Sequence, residues 1–158
     1  MYERRWAMTK EDRKNAYLYC KFRDEQFALY DEYAKRHGML MKTLLVVNVL
    51  FYAKEGMTQT EICKRTFQSK QTVNLIIKNL LSDSYVTVTE VPENKRNKIV
   101  QMTEAGRAYC EKVVRHITWA EDTAMSMFTP EEQKQLIELS RTFTKNITIL
   151  VNQETDEM

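Results

Sequence analysis

Between Met57 and Met102 the spacing of apolar residues changes from that of helices to that of strands, and two helix-start signals precede the change. Thr58-Gln-Thr-Glu61 has the form of a capping box, in which the threonine hydroxyl accepts from the amide three residues on and the carboxylate returns the bond. The helix it opens is expected to end near Arg65 or Thr66. Ser69 caps a second helix. In that helix Val73, Ile76, Ile77 and Leu80 fall at i, i+3, i+4 and i+7, which makes one inward stripe and leaves Gln71, Asn74, Leu75 and Lys78 outside it. After Ser84 the segment Tyr85-Val-Thr-Val-Thr-Glu-Val91 alternates β-branched and polar residues, as a strand does. Residues 92–97 read as a polar turn and 98–102 as the returning strand. Two short capped helices followed by a hairpin predict a winged helix-turn-helix, with its wing over 85–102.

The flanking sequence is helical. Thr9 with Asp12 starts a helix running from Lys10 to about Arg36, and Gly38 ends it. Residues 39–53 form a short, very apolar helix. Thr103 caps a helix to about Met125, and Thr129-Pro-Glu-Glu132 opens the last one, to about Val151. The expected fold is mainly α, six helices with a small β-hairpin wing. With only 3 Gly and 2 Pro among 158 residues, helices of this length meet few breakers.

Charge is spread unevenly. From Met57 to Arg107 eight Lys or Arg stand against five Asp or Glu, a local net of +3 in a chain whose total is +2. A phosphate-facing module needs such an excess. The start of the helix after Ser69 carries Ser69, Lys70, Gln71, Thr72 and Asn74, small or polar groups suited to phosphates and base edges where the helix dipole also favours anions. Gln and Asn side chains can bond bidentately to adenine in the major groove. Lys95, Arg96 and Lys98 put three cations on the hairpin tip, within reach of an adjacent minor groove.

Over Met57–Val86 (MTQTEICKRTFQSKQTVNLIIKNLLSDSYV) and Glu93–Gly106 (ENKRNKIVQMTEAG) the chain resembles the MarR family of bacterial transcription regulators, and FTPEEQKQLIELS from Phe128 resembles that family's last helix. The resemblance implies a homodimer whose terminal helices interlock, with residues 1–38 and 107–158 serving dimerisation and residues 39–106 forming the DNA-binding winged region. It implies a pseudo-palindromic operator in double-stranded DNA, and repression relieved by a small, often aromatic ligand or by thiol oxidation. Ser69 to Asn74 match the start of the family's recognition helix, and Arg96 matches the wing arginine of the minor groove. Asn94 stands where the family usually has an aspartate that positions this arginine, Leu75 where many relatives have arginine, and Phe67 where a small residue is common, which alters packing in the turn. The DNA-contacting set is therefore Ser69, Lys70, Gln71, Thr72, Asn74, Leu75, Lys78, Lys95, Arg96 and Lys98.

Three isolated cysteines, Cys20, Cys63 and Cys110, form no CxxC and read as reduced thiols of a cytoplasmic protein. Cys63 is expected to be a buried, inert thiol, and Cys20 is the candidate for redox sensing, beside Lys21. The apolar run Thr43 to Ala53 is about half of the ~20 residues a membrane span requires, and the first residues lack a signal peptide's apolar stretch. Trp6, Tyr17, Tyr19, Tyr30, Phe51 and Tyr52 are core and dimer-interface candidates that could also line an effector pocket. The sequence contains no Gly-rich phosphate loop, GxSxG or metal-ligand pair, so neither enzyme chemistry nor a cofactor or metal is expected. A winged helix can also serve protein interaction without binding an operator, and that is the alternative reading.

Overall fold

The computed structural model describes residues 8–91 and 94–153, with the backbone alone at 91 and 94–97. In chain order the elements are α1 (Lys10–Arg36), α2 (Met41–Tyr52), β1 (Met57–Thr58), α3 (Gln59–Thr66), α4 (Lys70–Ser82), β2 (Val86–Val91), β3 (Asn94–Met102), α5 (Glu104–Ser126) and α6 (Pro130–Asn152). The expected six helices are all present. They fall into two compact units, the first reaching Val114 and the second beginning at Arg115, inside α5.

Local chemistry explains where the helices of the first unit begin and end. Thr9 and Asp12 close a capping box on α1, with the Asp12 amide donating to the Thr9 hydroxyl at 3.0 Å and the Thr9 amide to the carboxylate at 2.7 Å. At the other end Gly38, at φ +74°, lets its own amide reach the Lys35 carbonyl and the Met39 amide reach that of Ala34. This is a Schellman closure, which needs the left-handed conformation that glycine adopts freely. Helix α4 ends in the same way with a serine in the glycine's place. Ser84 sits at φ +62°, its amide donates to Leu81, and the Tyr85 amide donates to Leu80 at 2.8 Å.

The core of this unit lies where α2, α3, α4 and the sheet meet. Leu44, Val46, Val47 and Leu50 of α2, Ile62 of α3, the Val73-Ile76-Ile77-Leu80 stripe of α4, Val86 of β2 and Val100 of β3 are all buried. Long α1 reaches this core only near its end, through Tyr33 and Ala34, and the Tyr33 hydroxyl donates to the Val113 carbonyl of α5 at 2.9 Å. Thr103 caps α5, accepting from the Gly106 amide at 3.0 Å while its own hydroxyl donates to the Ser84 carbonyl at 2.8 Å. Gly106 is required for that docking, because a Cβ there would run into the Tyr85 carbonyl.

The wing differs from its sequence reading in two respects. It is a three-stranded antiparallel sheet in the order β1-β3-β2, because Met57 and Thr58 pair with Val100 and Ile99. Strand β3 also begins at Asn94 and not at Lys98. Pairing runs regularly from Val86↔Met102 to Glu90↔Lys98 and then jumps to Val91↔Asn94, so residues 95–97 fall inside a register break. That break absorbs residues the sequence reading placed in a turn, since a bulged strand can hold extra residues without ending. Residues 92–93 of the expected turn lie outside the described residues.

In the second unit Thr129 and Glu132 form another capping box, with Pro130 at the first helical position of α6. Gln133 reaches back to donate to the carbonyls of Met125 and Phe128 at 3.1 and 3.0 Å, closing the turn between α5 and α6. Among the described residues no helix is long and apolar enough to cross a membrane.

Candidate nucleic-acid interface

The turn between α3 and α4 is held by side chains as well as by packing. The capping box at Thr58 forms as expected, with its amide donating to the Glu61 carboxylate at 2.7 Å and the Glu61 amide to the Thr58 hydroxyl at 3.2 Å. The Thr58 amide and hydroxyl, the latter at 2.9 Å, both donate to the carboxylate and hold Glu61 below its ordinary value. Gln59 donates to the Lys70 carbonyl at 3.2 Å, tying the start of α3 to the start of α4. Gln68 donates to the Lys42 carbonyl of α2 at 3.1 Å. Phe67 makes the turn at φ +53°, with its ring 95% exposed. The expectation that Phe67 alters packing in the turn is not met, because the left-handed backbone points the ring into solvent.

Helix α4 has two opposed faces. Val73, Ile76, Ile77 and Leu80 are buried, whereas Gln71, Asn74, Leu75 and Lys78 repeat the i, i+3, i+4, i+7 spacing two positions earlier and are all exposed. Two positions are about 200° of helix, so the second stripe looks directly away from the core. Leu75 is 61% exposed in the middle of that otherwise polar stripe. Ser69 and Thr72 are already engaged. The Thr72 amide donates to the Ser69 hydroxyl at 3.1 Å, and the two hydroxyls lie 2.9 Å apart. Ser69 thus works first as the helix cap, with its hydroxyl proton left for Thr72 or for a ligand.

A cleft of about 450 Å³ runs beside this face. Its walls come from Asn74, Lys78 and Leu81 of α4, from Thr58, Gln59 and Thr60 at the start of α3, and from Val88, Lys98 and Val100 of the sheet. The cleft brings together Lys78 and Lys98, two cations far apart in the sequence. The threonine and glutamine lining at 58–60 escapes the sequence reading, because Thr58 there serves only as a cap. Lys98 does not sit at a hairpin tip. It lies in the body of the hairpin opposite Glu90, 3.6 Å from that carboxylate, because β3 starts earlier than expected. Lys95 and Arg96 fall inside the register break, beside the Val91–Asn94 end of the hairpin, and their side chains lie outside what is described.

The remaining candidates are scattered. Cys20 on α1 and Cys63 on α3 are half-buried and Cys110 on α5 is buried, all three free. Cys63 is thus less enclosed than expected, its position on short α3 being only partly covered. Burial pushes the Cys110 thiol up to about 11, and its Sγ lies 3.6 Å from Met102 Sδ. That environment suits a neutral, unreactive thiol. Among the expected aromatic set, Phe51 is buried while Tyr17, Tyr19 and Tyr52 are exposed, and Trp6 lies outside the described residues.

A capped helix-turn-helix whose second helix turns a polar stripe outward, flanked by a three-stranded sheet, defines a winged-helix protein. The MarR family model matches residues 37–97, from the end of α1 into the wing. Over nearly the whole chain the fold is similar to that of solved MarR family regulators. AbsC, a MarR family transcriptional regulator from Streptomyces coelicolor, is 16% identical and superposes with a TM-score of 0.75 over 91% of this chain and 98% of its own. Sco3205 from the same organism, a MarR family regulator solved in complex with DNA, is 19% identical with a TM-score of 0.75, covering 92% of each chain. BpsR of Bordetella bronchiseptica, whose DNA binding is regulated by 6-hydroxynicotinic acid, is 18% identical with a TM-score of 0.64 over 82% of this chain and 91% of its own. No curated protein matches the chain.

Proposed function

We propose that this chain is a sequence-specific DNA-binding transcriptional regulator that acts as a homodimer on a pseudo-palindromic operator and is released by a small ligand. The observation that carries this reading is the outward stripe of α4, Gln71, Asn74, Leu75 and Lys78, set opposite a fully buried apolar stripe. Nothing in folding requires that stripe to be clear of the molecule's own chain, whereas major-groove entry does. Lys70, Ser69 and Thr72 meet phosphate at the start of the helix. Lys78 and Lys98 meet it from the two walls of the cleft. Arg96 enters the minor groove and Lys95 follows the backbone beside it. Gln71, Asn74 and Leu75 face the bases.

The second copy is supported by helices that bury little of their apolar surface. Helix α6 has no buried residue, with Leu139, Leu150 and Val151 about two-thirds exposed or more. On α1, Tyr17, Phe22, Phe27 and Leu29 are also more than half exposed. Covering such faces gains roughly 25 cal/mol for each Å² removed from water. A two-fold partner would place two α4 helices on half-sites about one DNA turn apart, ~34 Å. Release by a small molecule draws support from BpsR, whose DNA binding answers to one.

Duplex binding measured across a salt titration tests the reading. The expected result is affinity that falls linearly on log–log axes, with a slope reduced by about one unit in Lys70→Ala. A chain that binds no duplex DNA at low salt would refute it and favour a protein-interaction module.

A further inference from the structure

Helix α4 is short of one kind of reader. From Lys70 to Ser82 it carries no arginine, the residue that most often grips guanine through O6 and N7. Its outward stripe offers instead two carboxamides, Gln71 and Asn74, and one aliphatic side chain, Leu75. Carboxamides pair bidentately with adenine, and an aliphatic group meets the C5-methyl of thymine. The three stand together: Leu75 is one turn from Gln71 and adjacent to Asn74. A helical turn rises about 5.4 Å, so they span no more than about two base-pair steps of 3.4 Å. Lys78 follows one turn beyond Asn74 and lines the cleft together with Lys98, both proposed above to meet the phosphate backbone. Leu75 itself is 61% exposed and contributes little to the core. An aliphatic side chain at the centre of a wet face loses water only when something apolar is laid against it.

We propose that Leu75 is the specificity-determining residue of this interface, reading the methyl group of a thymine within a step of A·T pairs whose adenines are held by Gln71 and Asn74. This rests on the DNA-binding reading above and names the class of base pair the helix selects. The central step of each half-site is A·T only, and its recognition depends on a methyl group and not merely on base-pair type.

Uracil tests this, because it pairs as thymine does and lacks only the methyl. A randomised 20-base-pair duplex pool is selected with the full-length protein. The enriched site is then remade with each thymine replaced singly by deoxyuridine. The expected result is an A·T-rich half-site with one position where the replacement weakens binding about fourfold, the value of one buried methyl. In Leu75→Ala, whose side chain lies outside the core, that position becomes indifferent to the methyl while the other contacts persist. Leu75→Arg shifts the selected base there to guanine. Enrichment of a G·C step opposite α4, or a wild-type protein blind to every uracil, overturns the proposal and leaves DNA binding standing. A uracil penalty that survives unchanged in Leu75→Ala assigns the methyl contact elsewhere and overturns it as well. A pool that yields no enriched duplex overturns the functional reading, and this inference with it.

Discussion

Two residues show how local energetics and exposure separate structural roles from functional ones. Phe67 holds a left-handed backbone at φ +53° while its ring is 95% exposed, so the fold bears a conformational cost with no packing in return. A non-glycine residue in that region costs about 1–2 kcal/mol, partly offset in a glycine variant by the extra freedom of the unfolded chain. Phe67→Gly should therefore raise unfolding stability by about 0.5–1 kcal/mol in a denaturant titration, and a loss of stability would mean that the ring is covered in the native assembly. Cys110 is the opposite case. Its thiol is buried beside Met102 and shifted from 9.0 to about 11, the main cause being desolvation. The folded state holds that proton more tightly than the unfolded state. Its contribution is thus fully present below pH 9.0 and lost as pH rises through about 11. Thiol labelling of the native protein at pH 8 should spare Cys110 until denaturant is added, and prompt labelling there would contradict its burial.

At the scale of elements, the helix starts are held by carboxylates, and the wing, held by strand pairing, carries one exposed ion pair. Asp12, Glu61 and Glu132 each lie below their ordinary values, because the threonine at each cap donates to the carboxylate. A depressed value means that the unfolded chain takes up protons first. The stabilisation is present above the ordinary value of 4.5 for the two glutamates and is lost as pH falls through the lowered ones. Thr58→Ala should cost about 1 kcal/mol at neutral pH, and should cost less once acid has already broken the box. An equal cost at both pH values would show that the hydroxyl acts without its carboxylate. In the wing, Glu90 lies 3.6 Å from Lys98, a cation that lines the cleft and is proposed to meet phosphate. Glu90→Gln should tighten binding to any duplex and steepen its salt slope by up to about one unit. An unchanged slope would place Lys98 off the phosphate path.

Across the whole molecule, what the sequence reveals is what its neighbours decide. The caps at Thr9, Thr58, Ser69 and Thr129 are legible because donor and acceptor are three residues apart. The stripe from Val73 to Leu80 is legible because one helix period decides which side meets the core. Strand β1 is not legible, since Met57 and Thr58 become a strand only through pairing with Val100 and Ile99, some forty residues on. The start of β3 is hidden for the same reason, because a register break depends on which residues face each other across the hairpin and not on the composition of 92–97. The outward stripe of the candidate site was readable. The cleft joining Lys78 to Lys98 was not, because its walls come from three separate stretches of chain.

The central claim is that the exposed stripe of α4 lies against base pairs. The most direct measurement is the ratio of affinities for a selected site and for a scrambled duplex of equal length, taken for wild type and Asn74→Ala across a salt titration. Loss of a base-reading carboxamide should lower the ratio about tenfold or more, within the range of ~1–3 kcal/mol for a bidentate contact, and leave the salt slope unchanged. A ratio that stays the same in Asn74→Ala, Gln71→Ala and Leu75→Ala alike would show that this stripe does not read DNA.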